Sequence, residues 1–323
     1  MPVSRRTFTT SALAGATMIL PRIARAAFPE RPLRLIVPFP AGGAVDVVGR
    51  LLGNALSAGI GQPVVIDTRG GAGGVIGMEA RARASPDGYT LMVSHSGFAA
   101  MPGLYRRLPF DPAKDFDGVV TAVSGSYVLA VHPSVPFRSV AELIVYAKAN
   151  PGKLTYASAG VGSTVHLGFE FFKRVAGVDI LHVPYRGAAP AATDLIGGQV
   201  HMSFGSTALI DPLVKSVNVR ALAVTSATRS TLMPGLPTIA ETLPGFDVVG
   251  WYGLVVPAGT PRDATARLNA ETLRVLKSAD LLEQFRQQGY EPVGDTPAEA
   301  TAYIKSEVAR WSQVIRDAGI EPQ

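Results

Sequence analysis

The sequence predicts an α/β protein of two αβ lobes. Three observations carry that prediction. Short apolar runs rich in β-branched residues alternate with helical patterns along the chain. A strand, a glycine turn and a helix start occur twice, at Leu33 to Arg50 and at Leu154 to Leu167. The 323 residues, only 17% of them charged, exceed what one core usually serves and suit buried parallel strands joined by short loops.

The chain opens with Ser4 to Thr10, SRRTFTT, an apolar run from Ala12 to Leu20, and Ala24-Arg25-Ala26, a small-residue cleavage pattern. Basic, apolar and small regions in that order predict an export signal over residues 1–27; Arg5-Arg6 ahead of Phe8 resembles the twin-arginine class, with a plain mitochondrial-type or Sec signal as the alternative. The apolar run is too short to span a bilayer, so a soluble mature chain is expected. The formal charge is +5, but Arg5, Arg6, Arg22 and Arg25 stand in this acid-free leader, leaving about +1 for the rest. No basic face with interleaved aromatics follows, so no nucleic-acid partner is expected. With no cysteine the chain has no disulfide, no thiolate metal site and no cysteine nucleophile.

Leu33 to Val37 reads as a strand, and VPFPAGGAVDVVGR from Val37 to Arg50 carries it into a helix. The first amides of a helix lack internal partners and lie at the positive end of its dipole, so this turn can hold an anion. A tight turn that needs glycine for geometry alone explains the same residues. Strands follow at Val64 to Asp67, Thr90 to Ser94, Gly118 to Ala122 and Val128 to Val131, a βαβ series. Between them RGGAGGVIG, Arg69 to Gly77, misses the dinucleotide pattern, because Ile76 stands where its third glycine belongs. It reads as a glycine turn into a closely packed helix. Ser94 and Ser96, at the end of a strand, are candidate cleft residues.

Val128 to Pro133 is expected to cross into a second lobe. Ser139 to Asn150 is a helix with Ser139 as cap and Glu142 three residues on. Leu154 to Leu167, LTYASAGVGSTVHL, repeats the opening design, with Ser163 or Thr164 either capping a helix or also donating to a bound oxygen. A strand at Asp179 to Val183 leads through Pro184-Tyr185-Arg186-Gly187 into a helix over Ala188 to Ile196. Tyr185 offers an aromatic wall, while Arg186 faces either solvent or a carboxylate. Strands at Met202 to Ser206 and Val219 to Thr225 come next. Phe246 to Pro257 returns to the first lobe, whose sheet the helices Ala264 to Lys277 and Ala298 to Asp317 cover, with Trp311 in the core.

Two crossings near residues 130 and 250 make a hinged clamp: a discontinuous lobe of residues 28–130 and 245–323, and a second lobe of residues 131–244. A carboxylate between Gly42 and Ser163 would take amides from both and favour the closed state.

The chain resembles the Bug family, the extracytoplasmic solute receptors of tripartite tricarboxylate transporters. RPLRLIVPFPAGGAVDVVGR, VVIDTRGGAGGVIG with SPDGYTL, TYASAGVGSTVHL, VPYRGAAPAATDLIGGQVHMSF and WYGLVVPAGTP carry the resemblance in order over the mature chain. Thr68 replaces the family's usual Asn, and Leu167 to Glu170 alters its small-residue pattern. The resemblance implies a type II periplasmic-binding-protein fold, a periplasmic location, a carboxylate ligand, integral-membrane transporter subunits as partners, no cofactor and no metal. It implies that Phe39, Ala41 and Gly42 line one side of the site and Gly160, Ser163 and Thr164 the other, with Tyr185 and Gly187 closing over the ligand. Ser94, Ser96 and Ser206 are further candidates. A monomer is expected.

Two rival readings stand beside this one. In a hydrolase Ser163 and His166 would form the working pair, but G-x-S-x-G, H-E-x-x-H and P-loop motifs are absent and the five histidines lack metal spacing. A transcriptional effector domain would want a helix-turn-helix segment ahead of the lobe, where an export signal stands instead.

Overall fold

The computed structural model describes residues 28–39, 41, 43–71, 74–185 and 187–322. The export signal, Gly42 and Arg186 therefore lie outside the described residues.

Ten strands form one continuous sheet. In its first half β1 (Leu33–Val37) pairs in parallel with β2 (Val64–Thr68) and β3 (Thr90–His95), and β3 pairs antiparallel with β9 (Val249–Pro257). In its second half β5 (Thr155–Ser158) pairs in parallel with β6 (Leu181–Pro184) and β7 (Met202–Ser206). The strand β4 (Phe116–Val131) joins them: residues 116–126 pair with β9, residues 127–131 pair with β7 on one side, and residues 128–131 pair with β8 (Arg220–Val224) on the other. The short β10 (Glu291–Pro292) adds to β4 at the junction. The runs Gly118 to Ala122 and Val128 to Val131, expected as separate strands, are thus parts of one. Ser124-Gly125-Ser126, which reads as a break in sequence, is carried through it by pairing with Trp251, Gly250 and Val249.

Helices cover both faces. On one face of the first half lie α1 (Ala44–Gly59), α8 (Arg262–Val275) and α9 (Ala279–Gln287), packed over Leu35, Leu91 and Val120. In the second half α6 (Ala188–Ile196) and α7 (Thr207–Lys215) cover Val128, Ala157 and Val224. The opposite face carries α2 (Val75–Ala82), α3 (Ser96–Leu104), α4 (Val140–Ala149), α5 (Thr164–Ala176) and α10 (Pro297–Asp317), and its core runs without interruption from Phe98 and Phe116 through Trp251 and Phe246 to Phe169 and Phe204. Thr296 caps α10 through a reciprocal bond with Glu299, and Pro297 opens it. No helix among the described residues is long and apolar enough to cross a membrane.

β4 and β9 approach each other closely. A Cβ on Gly253 would stand 2.3 Å from the Val120 carbonyl oxygen, where the pairing of the two strands slips. Gly253→Ala is expected to destabilise the fold by about 2 kcal/mol in urea unfolding, since backbone must move to admit the methyl. Gly235→Ala, with nothing within 4 Å, should stay within about 0.5 kcal/mol of the parent.

Candidate functional site

An open cleft of about 590 Å³ lies between the carboxyl ends of the strands of the two halves. Four helix starts border it: Val45 of α1, Gly97 of α3, Thr164 and Val165 of α5, and Ala188 of α6. Each follows a strand of the parallel part of its half, so the strand-to-helix turns face each other across the gap. The cap of α1 is Gly43 and that of α6 is Gly187, and neither has a side chain to close its first turn. Those turns keep backbone N–H groups for something else.

The starts of α3 and α5 are closed by their own residues. His95 caps α3, its Nδ1 accepting from Gly97 N at 3.1 Å. A neutral ring that accepts at Nδ1 carries its proton on Nε2, and burial pushes the His95 pKa down to about 4. That Nε2 is shut off from water with no hydrogen-bond partner among the described residues, and the Phe39 ring lies edge-to-face on the imidazole at 4.9 Å. In α5 the Ser163 hydroxyl donates to Gly160 O at 2.7 Å and accepts from His166 N at 3.3 Å. His166 Nδ1 accepts from Gly162 N at 3.1 Å. Ser163 and His166 are therefore each engaged with backbone, and no serine-to-imidazole bond of the kind a nucleophile needs joins them.

Hydroxyls bridge the floor. Ser96 Oγ and Thr164 Oγ1, from opposite halves, lie 3.1 Å apart. Thr164 also hydrogen-bonds the phenol of Tyr127, whose pKa burial pushes up to about 12, so it stays protonated. Tyr127 sits where β4 passes from one half to the other.

Of the residues expected at the site, Phe39, Ser163 and Thr164 line the cleft, and Ser96 stands behind Thr164. Ala41 is exposed in the turn before α1. Gly160 adopts φ +127°, a conformation open to glycine, and the Gly187 N–H donates to Ala159 O at 3.2 Å, so both shape the turns that frame the gap. Ser94 is buried within β3, Ser206 caps α7 through Leu209 N, and the Tyr185 hydroxyl donates to Asp194 at 2.6 Å. These three hold elements together and do not line the cleft. Residues the sequence reading did not single out also line it: His95, Met101, Leu104, Tyr105, Tyr127 and Val161. Most sit on α3 or next to it, a helix hidden in SGFAAMPGL by two glycines and a proline.

The buried histidines set a pH dependence. His95 and His182 both have pKa values lowered to about 4, chiefly by burial. The unfolded chain protonates first, so stability present above about pH 6.5 is lost as the pH falls toward 4. Melting temperature should drop between about pH 7 and about pH 5, and His95→Gln or His182→Gln should each shrink that drop.

Comparison with known proteins places this geometry. The family model described as "Tripartite tricarboxylate transporter family receptor", TctC, matches residues 48–320. A UPF0065 protein in the tcbD-tcbE intergenic region of Pseudomonas sp. strain P51 is 42% identical over 291 residues, covering 90% of this chain and 87% of that one. Protein BugT of Bordetella pertussis is 38% identical over 299 residues, 90% of each chain. Among solved structures, R. palustris Rpa4515 with adipate superposes with a TM-score of 0.76 at 38% identity, covering 92% of this chain and all of that one. MatC from Rhodopseudomonas palustris with bound malate gives 0.72 at 32% identity, covering 89% of this chain and 100% of that one. The fold is that of the type II periplasmic binding proteins. By its motifs, its fold and its relatives, the chain belongs to the TctC family of solute-binding receptors, the Bug proteins among them.

Proposed function

We propose that this protein is a periplasmic receptor that captures a small carboxylate in the cleft between its halves and delivers it to integral-membrane transporter subunits. The observation that carries the reading is the set of helix starts around the cleft, two of them capped by glycine and left without side-chain closure. Amides at such positions hold a carboxylate by charge-assisted hydrogen bonds, worth roughly 1.5 to 3 kcal/mol each. Adipate and malate in the two R. palustris relatives support a carboxylate here.

The lobes act as residues 28–130 with 245–323, and residues 131–244, hinged where β4 and β9 run side by side. A ligand bonded to α1 on one lobe and to α5 or α6 on the other makes contacts that an open cleft lacks, so it favours closure. The closed shape is what the membrane partner reads, and the receptor works as a monomer. Phe39, Ala41 and Gly42 grip from the first lobe. Thr164 grips from the second at the start of α5, while Gly160, Ser163, Gly187 and Tyr185, whose donors are engaged within that lobe, hold the turns that frame the grip. An export signal over residues 1–27 brings the chain to the periplasm. Reading the site as hydrolytic finds no support in the engaged Ser163 and His166.

Ala44 tests the backbone grip. It is the first residue of α1, behind Gly43 at φ −82° and ψ 167°, where proline fits and removes one N–H with little else. Titration calorimetry with the tightest acid from a panel of mono-, di- and tricarboxylates should show Ala44→Pro weakened about tenfold or more, at unchanged or higher melting temperature. Unchanged affinity would remove α1 from the grip. Thr164→Val, which deletes a hydroxyl and keeps its N–H, should cost less.

A further inference from the structure

We infer that the acid this cleft takes carries a single carboxylate on an apolar body, aromatic or alkyl, and not a second acidic group. The inference rests on the carboxylate reading above and names the class of ligand within it. Beyond the helix starts, the walls are hydrocarbon. The end of α3 contributes Met101, Leu104 and Tyr105, the turn before α5 contributes Val161, and Phe39 and Tyr127 add two more rings. Val161 is 55% exposed, an apolar side chain at the mouth that a bound apolar group would cover.

Two of the hydroxyls in the cleft are already occupied. Ser163 is spent on Gly160 and His166, and Thr164 on Ser96 and Tyr127. His95 is neutral and covered by Phe39. None of the described residues lining the cleft is a lysine or an arginine. Arg106, which follows Tyr105, donates to Pro322 O at 2.9 Å, and Arg69 pairs with Asp67. Backbone amides at the helix starts are therefore the donors for a carboxylate, and no lysine or arginine among the described lining residues faces a second one. A second would leave water to lie against Leu104, Tyr105 or Val161 without a partner, the costly arrangement for a charge. An apolar body there releases water from both surfaces.

Hexanoate and adipate make the test, because they share a carbon chain and differ by one terminal carboxylate; benzoate adds the aromatic form of the same chemistry. Calorimetry on the mature chain should show hexanoate or benzoate binding about tenfold or more tightly than adipate, malate or citrate. Leu104→Lys supplies the counter-charge the wall lacks and should reverse the preference between hexanoate and adipate. If that variant melts too low to measure, Tyr105→Lys serves the same purpose. Arg186→Gln should leave the parent preference unchanged. Adipate equal to or tighter than hexanoate in the parent overturns the inference while the carboxylate reading stands, and so does a preference that Arg186→Gln alters. No binding by any acid overturns both.

Discussion

One strand belongs to both halves of the molecule, and the cleft exists because of it. β4 is buried along most of its sixteen residues, and its pairing partners change at Ser126 and Tyr127 from β9 to β7 and β8. Two glycines meet at that change, Gly125 opposite Gly250. Their role is close approach: a Cβ on Gly125 would stand 2.7 Å from Gly289 O, and one on Gly250 would stand 3.0 Å from the Tyr127 hydroxyl. Tyr127 thereby reaches the floor of the cleft and bonds Thr164. The opposite face is held by a core common to both halves, and Arg174 at the end of α5 forms an ion pair with Asp317 at the end of α10. Any opening motion works against that shared layer, so the strand-end turns meet at a spacing fixed mainly by β4, β9 and α10.

Each side of the cleft is stiffened by a neutral histidine that accepts a backbone N–H. His95 does this for Gly97 and His166 for Gly162, both at 3.1 Å. His166 is the end of a stack of rings. It lies 4.2 Å from His182, which stacks on Tyr156, then Phe169, then Phe204. His182 Nε2 lies 2.6 Å from Ser158 Oγ, and Ser158 Oγ accepts from Gly160 N, so the column props the turn that carries Ser163. Burial lowers the pKa of all three histidines. A charged ring in the stack would be stripped of water, and so the neutral form is the structural one.

Much of this was legible in the sequence, and what was not has a common cause. β1, β7 and α6 begin and end where their patterns place them; β1 lies between two prolines and α6 between two glycines. The caps Ser139 and Ser163 follow from local hydrogen bonding alone. α3 was hidden, since SGFAAMPGL has poor helix propensity and is held helical by burial of Phe98 and Met101. The single strand β4 was hidden because Ser124-Gly125-Ser126 is polar and small, and only its partners across the sheet keep it extended. The site divides the same way. Glycine turns at helix starts announce themselves locally. Met101, Leu104 and Tyr127 line the cleft only because distant elements turn them toward it, and no spacing rule carries that information.

That division explains how one frame can serve ligands of different shape. In the proposed reading the grip on the carboxylate is made of backbone, which depends on turn geometry and tolerates change in most side chains. Selectivity falls to the walls, where α3 and the turn before α5 present hydrocarbon in this chain. A neutral grip also limits affinity in a useful direction. Fixed amide dipoles hold an anion without the deep well of a buried ion pair, and each bond is lost when the halves part. On that reading capture and release become two ends of one motion, because the donors proposed to hold the acid sit on opposite sides of the opening.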